Sequence, residues 1–349
     1  MLKSKTYIAI PPGETIKELL QDRGVKQKEF AARMGMTEKH ISKLVNGEVA
    51  LTPETANRLE CVLGLPASFW NNLEARYREK ILKANAENAM EQDKIIASQY
   101  PYKEMVKNKW VADTSNSSEK VLILRKFFEV ADLEYLNNNL INNIACRKLG
   151  DSEKADYALI AWSQQARLMA RDIDTKPINI FKLKSLIPKI RVMTILKPEE
   201  FCPKLVGMLS DCGIALVFLP HIGGSFLHGA SFKDGRKIVI GLTIRGKYAD
   251  RFWFSLFHEL AHVILGHIDK IEGTTEEDEA LADEFARDTL IAKMDYDNFL
   301  EKEDFSKTRI LNFANLVGIS PCIVIGRLQK DKHIGYNMYN NLKERYEFA

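Results

Sequence analysis

The chain has 349 residues, 46% of them hydrophobic and 28% charged, which is enough for two or three domains with sizeable cores. Fifty basic residues oppose 47 acidic ones, so the net charge of +3 points to neither a nucleic-acid partner nor an acidic substrate. No stretch approaches 18 consecutive apolar residues. The start, Met1-Leu2-Lys3-Ser4-Lys5, lacks the pattern of a secretory leader, and the scattered cysteines (Cys61, Cys146, Cys202, Cys212, Cys322) form no C-x-x-C pair. A soluble, cytoplasmic protein with reduced thiols and no membrane partner is expected.

Residues 1–80 carry apolar positions at helical spacing in short runs: Ile16, Leu19, Leu20; Phe30, Ala31, Met34; Ile41, Leu44, Val45; Leu59, Val62, Leu63. Gly24, Gly35, Gly47 and Gly64 fall where those helices should stop. Residues 81–120 are polar and read as a helical connector ending in a loop. Helical patterns return over 121–200, including Val121–Val130 and Tyr157–Ala170 around Trp162. From 205 the period changes. GIALVFLP (213–220) and KIVIGLT (237–243) read as strands, with Asp234-Gly235 as a hairpin turn between them. KIVIGLT is either an edge strand on which an extended peptide could pair or a buried strand. A strongly apolar helix over 251–265 precedes nine acidic residues between Asp269 and Asp288, then more helix.

Within the first region, QKEFAARMGMTEKHISKLVNG (27–47) reads as two helices joined by a tight turn. The first ends at Gly35, where a left-handed residue turns the chain, and Thr37 caps the second. Phe30, Ala31, Met34, Met36, Ile41 and Leu44 lock the pair together. Glu38, Lys39, His40, Ser42 and Lys43 then face the base edges of a major groove, and Gln27, Lys28 and Asn46 reach phosphates. With Thr37 at the turn, these nine are the candidate contacts to double-stranded promoter DNA. Seven basic against four acidic residues over 17–47 leave a second reading open, a helical interaction module without DNA binding. The segment resembles the XRE class of helix-turn-helix domains. Pro12-Gly13-Glu14, LTPETANRL (51–59) and FWNNLEARY (69–77) make residues 10–80 similar to HigA-type antitoxins. That resemblance implies a homodimer on a promoter palindrome, with a cognate toxin as a further candidate partner.

The second signal is FWFSLFHELAHVILG (252–266). His258 and His262 lie one helical turn apart on one face, so both imidazoles can reach one Zn²⁺. Glu259 can hold and deprotonate a metal-bound water. Trp253, Phe254, Phe257, Ala261 and Leu265 supply an apolar face that buries this helix. A catalytic zinc needs a third ligand and an open position. His267 follows the expected helix end at Gly266, and the metzincin pattern fails because Leu265 and Ile268 stand where it needs Gly and His. Glu279 is the better third ligand. It opens EALADEFA (279–286), in which Asp283 shares its face and can accept the free N–H of a ligand histidine. Ala282, Phe285 and Ala286 would pack this helix closely on the first.

HELAH followed by ExxADxFA resembles the ImmA/IrrE family of zinc peptidases, of gluzincin type, and DRFWF (250–254) and GISPCIVIGRLQ (318–329) extend the likeness from about residue 120 to the end. The family's proline shortly after ExxADxFA is missing, the chain reading LIAKM (290–294). Membership implies an endopeptidase acting on XRE-type repressors. For the oxyanion donor, His228, Tyr248, Arg245 and His267 remain unranked. Residues 310–330 read either as a second DNA-binding unit or as a helical cap, and HIGG (221–224) lacks the lysine of a phosphate loop.

The expected fold is α+β and mostly helical. A five-helix XRE-type helix-turn-helix domain (1–80) and a connector (81–120) precede a gluzincin-like zinc peptidase domain with a small β-sheet and helical cap (121–349). The expected function is a DNA-binding regulator, antitoxin-like, carrying a zinc endopeptidase that cleaves a regulatory DNA-binding protein or antitoxin. His258, His262 and Glu279 are the ligands, Glu259 the general base and Asp283 the outer support. The competing expectation is a non-enzymatic antitoxin or repressor whose zinc-bearing domain senses a ligand or binds a toxin.

Overall fold

A computed structural model describes residues 2–136, 153–223, 228–243, 248–270 and 274–347. The chain divides into two compact units, Met1–Ile95 and Ile96–Ala349. The division falls inside the stretch read above as a connector.

The first unit opens with a hairpin of β1 (Leu2–Lys3) against β2 (Ile8–Ala9). Five helices follow: α1 (Pro12–Asp22), α2 (Gln27–Met34), α3 (Glu38–Val45), α4 (Pro53–Leu63) and α5 (Ala67–Ala97). Ile16, Phe30, Met34, Ile41, Leu44, Leu59 and Trp70 fill the core between them, while Met36 at the turn is half-buried. Helix α5 runs on through residues 81–97 because that stretch, although polar, consists of helix formers without Gly or Pro. Ion pairs Lys83–Glu79 (2.6 Å) and Lys94–Glu91 (2.7 Å) line its surface. The hairpin turn is tied to α5, since Glu87 accepts from Thr6 N (3.0 Å) and Thr6 Oγ1 (2.7 Å).

The second unit contains α6 (Tyr102–Lys107), α7 (Ser117–Phe128), α8 (Glu153–Arg171), α9 (Ile180–Val192) and α10 (Pro198–Ser210). Next come β3 (Ile214–Leu219), β4 (Gly229–Asp234) and β5 (Lys237–Thr243). Then follow α11 (Ala249–Ile264), α12 (Glu276–Leu290), α13 (Lys293–Leu300), α14 (Lys307–Val317) and α15 (Pro321–Lys330). The sheet order is β3-β5-β4. Two sequence expectations are corrected here. GIALVFLP and KIVIGLT are parallel neighbours, paired from Ile214↔Ile238 to Leu219↔Thr243, and the Asp234-Gly235 turn joins β4, not β3, to β5. KIVIGLT is the central strand, so among the described residues the sheet's edges belong to β3 and β4. Burial on both faces explains the reading: continuous apolar runs are what an enclosed strand looks like. Trp162 of α8 presses on Gly241 from one face, while Ile238, Ile240 and Leu242 join the core shared with α10 and α11 on the other.

Helix α11 runs through the middle of that core, with Trp253, Leu256, Phe257 and Leu260 buried; Leu265, past its last turn, is exposed instead. Ala282 and Ala286 of α12 are buried where that helix packs on α11. Without a proline after it, α12 ends on an extended Ile291, and its last carbonyls are capped by arginines. Arg191 Nε donates to Thr289 O (2.9 Å) and Arg327 Nη1 to Ile291 O (2.8 Å).

Helices α14 and α15 repeat the turn of α2 and α3, with a left-handed Gly318 (φ 68°) two residues before the cap position Ser320. Cys322, Ile323, Val324, Ile325 and Leu328 of α15 are all buried, however, in the core that holds α11. The segment is therefore a helical cap, with no free face for DNA. Among the described residues no single helix is long and apolar enough to cross a membrane.

Candidate nucleic-acid interface and metal centre

Helix α2 ends on Gly35 at φ 65°, a conformation that a Cβ disfavours. Gly35 N and Met36 N donate back to Ala32 O (3.1 Å) and Ala31 O (3.0 Å), closing the last turn. Arg58 of α4 holds the same turn from outside, donating from Nη1 to Met34 O at 3.0 Å. Thr37 Oγ1 then accepts from His40 N (3.2 Å) and starts α3. Ile41, Leu44 and Val45 turn inward, which leaves the rest of α3 outside. Gln27, Lys28, Thr37, Glu38, Lys39, His40, Lys43 and Asn46 are exposed and Ser42 is half-buried. The first N–H groups of α2 carry no side-chain cap, so they are open to an anion beside Lys26 and Lys28.

In the second unit, His258, Glu259 and His262 lie on the buried middle of α11, and Glu279 comes from the first turn of α12. Their donor atoms converge. His258 Nε2 and His262 Nε2 are 3.0 Å apart, and the two Glu279 oxygens lie 3.2 and 3.5 Å from these nitrogens. Bonds of about 2.0–2.1 Å at tetrahedral angles place donor atoms about 3.3 Å apart. Neither Glu279 oxygen meets the geometry of a hydrogen bond, and both are shut off from water. Two imidazoles and a carboxylate converging at these distances are a donor set that could hold one cation.

The outer partners differ between the two histidines. His258 Nδ1 meets Asp283 Oδ1 at 2.8 Å, whereas His262 Nδ1 meets His267 Nδ1 at 3.0 Å. His267 Nε2 lies 3.4 Å from Asp278 Oδ1, and Lys270 Nζ sits on both oxygens of Asp278 (2.7 and 2.6 Å). Asp278 also closes the capping box of α12 with Thr275.

Two imidazoles this close share one charge. Burial opposes it at His258, but the hydrogen bond to Asp283 and the adjacent carboxylates of Glu279 and Glu259 outweigh burial and push the pKa up to about 10. Burial first, then the charge on His258, takes His262 down to about 4. Burial also raises the Glu259 carboxyl to about 7. Ser231 Oγ of β4 lies beside that carboxylate without forming a full hydrogen bond, and Glu259 Oε2 has no partner. Gly229 of β4 gives the group its room, because a Cβ there would stand 2.8 Å from Glu259 Oε1.

A helix-turn-helix family model matches residues 16–70. Over 63 residues the chain is 40% identical to the HTH-type transcriptional regulator YddM of Escherichia coli (strain K12), a match covering 18% of this chain and 67% of that protein. The chain belongs to the helix-turn-helix regulators. A solved structure of a proposed antidote protein of a plasmid maintenance system from Nostoc punctiforme PCC 73102 is also similar to the chain. It is 29% identical, spans 24% of this chain and 91% of its own, and has a TM-score of 0.23.

Some residues of this regulator's second unit take places that the sequence did not assign. His267 is engaged between His262 and Asp278, so it is not a free oxyanion donor. Tyr248 precedes α11 with its ring under Lys343 and Arg345 (5.2 Å each). His228 leads into β4, its carbonyl accepting from Thr243 N at 3.0 Å, and Arg245 lies outside the described residues. Gly223 N donates to Glu104 Oε2 (2.6 Å), a structural use of the HIGG segment, whose Gly224 is outside the described residues. The support given by Asp278, Ser231 and Gly229 was missed. Only the capping box Thr275-x-x-Asp278 had a signature in the sequence.

Proposed function

We propose that this regulator joins DNA binding to a zinc-dependent endopeptidase, acting in the cytoplasm on a regulatory DNA-binding protein or antitoxin. The observation that carries the reading is the 3.0–3.5 Å triangle of His258, His262 and Glu279 donors beside Glu259, whose Oε2 is buried without a partner. A bound zinc would supply Lewis acidity and an acidified water. Glu259 takes the proton of the attacking water and hands it to the leaving nitrogen, a task suited to a carboxyl with a pKa of about 7. The free edge of β4 offers backbone groups to an extended peptide next to Glu259. The first unit, read as half of a homodimer, brings the chain to promoter DNA, and a cognate toxin is the further partner this reading admits.

The test is incubation of the zinc-loaded chain with XRE-type repressors or antitoxins, followed by mass spectrometry of the products. A single discrete cut that a chelator abolishes is expected. Intact substrates throughout, with zinc bound, would favour the sensing or toxin-clasping role instead.

Zinc uptake should strengthen as pH rises, about tenfold per unit up to about pH 10. Below that pH the free site holds a proton on His258, and the ion must displace it. A zinc affinity that is flat between pH 6 and pH 8 would contradict this. For the DNA interface, affinity for the regulator's own promoter should fall steeply with salt, and Lys28→Ala should reduce the slope of log K against log salt by about 1. An unchanged slope would remove Lys28 from the phosphate contacts.

A further inference from the structure

The chain of contacts that leaves the ligand cluster through His262 has an internal logic of protons. His262 and His267 face each other Nδ1 to Nδ1 at 3.0 Å, with ring centroids 5.1 Å apart, and both side chains are buried. A neutral imidazole has one donor and one acceptor nitrogen, so a bond between two Nδ1 atoms needs one ring protonated there and the other bare. If His267 carried the Nδ1 proton, His262 would accept it and keep its own proton on Nε2, the atom that points at His258 and Glu279. That arrangement would block the lone pair a cation needs. The opposite arrangement frees it.

What selects between them is Asp278. It lies 3.4 Å from His267 Nε2, and its negative charge is secured by Lys270 on both oxygens and by Thr275 N at 3.0 Å. A fixed anion at Nε2 draws the His267 proton to that side. His267 Nδ1 is then an obligate acceptor, and His262 must donate from Nδ1. The left-handed Gly266 (φ 77°) makes the contact possible by folding the chain back directly after α11. His258 has the simpler version of the same support, a carboxylate in direct contact.

We infer that His267, held by Asp278, is a positioning residue that fixes His262 in its ligand tautomer. The inference rests on the metal-centre reading above and adds to it a second-layer imidazole in place of a carboxylate. Competitive zinc titrations of the full chain at one fixed pH test it. His267→Phe keeps a ring and removes the acceptor; zinc affinity should fall about 10–100-fold. His267→Asn restores an acceptor oxygen near the Nδ1 position and should recover most of that loss. Asp278→Asn keeps the helix cap but not the charge, and should weaken binding by less than His267→Phe. In the zinc-loaded wild type, ¹⁵N-resolved imidazole spectra should place the ring protons on His262 Nδ1 and His267 Nε2. Equal affinity for wild type and His267→Phe, an equal loss in the Phe and Asn variants, or a proton on His267 Nδ1 would each overturn the inference. Wild-type protein that takes up no zinc would overturn the metal centre itself, and this inference with it.

Discussion

Glu259→Gln should leave zinc uptake unchanged and lower turnover on a cleavable substrate about 10²–10⁴-fold. The carboxylate is 3% exposed, faces Gly229 and Ser231 on β4, and offers no oxygen to the ligand triangle. Glutamine has the same shape, so the pocket has no reason to rearrange. What is lost is the capacity to take a proton and return it, and of the other described carboxylates nearby Glu279 belongs to the ligand triangle. Asp283 is committed to His258, and Asp278 to Lys270. The check is kcat with zinc content measured on the same samples. A variant that keeps both zinc and full turnover would remove Glu259 from the chemistry, and a variant that loses zinc would give it a structural role.

Gly13→Ala should cost the first unit about 3 kcal/mol, at the upper end of overpacking effects, and lower its unfolding midpoint by roughly 12 °C or more. A Cβ at Gly13 would stand 1.9 Å from Val45 O and 2.3 Å from Val45 Cα, both main-chain atoms at the end of α3 that cannot step aside as a side-chain tip can. The relief is to part α1 from α3, which disturbs the helix that exposes Lys39 and Lys43. Promoter affinity should therefore drop by more than tenfold with the midpoint. Gly64→Ala makes a useful contrast, since its Cβ meets nothing within 4 Å and only its φ of 79° resists. About 1 kcal/mol is expected there. A Gly13→Ala protein within a few degrees of wild type would contradict the packing of α1 on α3.

How much of this was legible depends on how local the determinants are. The turn between α2 and α3 could be read because Gly35 and Thr37 act within four residues of themselves. His258, Glu259, His262, Glu279 and Asp283 could be named because each pair is set by helical spacing. The β1–β2 hairpin could not, since it depends on Glu87, 81 residues from Thr6. Strand β4 was hidden because GASFKD has little apolar character, and that in turn misassigned the partner of β5. His267 at five residues from His262 fits no helical face, and only the Gly266 turn brings it back. Helix α15 shows the limit of motif reading. Its turn matches that of α2–α3, and the signal that separates them is side-chain character, apolar in PCIVIGRLQK and polar in EKHISKLV.

Zinc stoichiometry measures the proposed metal centre most directly. Titration of the metal-free full chain, followed by elemental analysis, should give one tightly held zinc per chain. That zinc should be lost in His258→Ala and in Glu279→Ala, while unfolding of the helix-turn-helix unit stays unchanged. A wild-type chain that retains no zinc, or a Glu279→Ala chain that retains it as tightly as wild type, would contradict the centre described here.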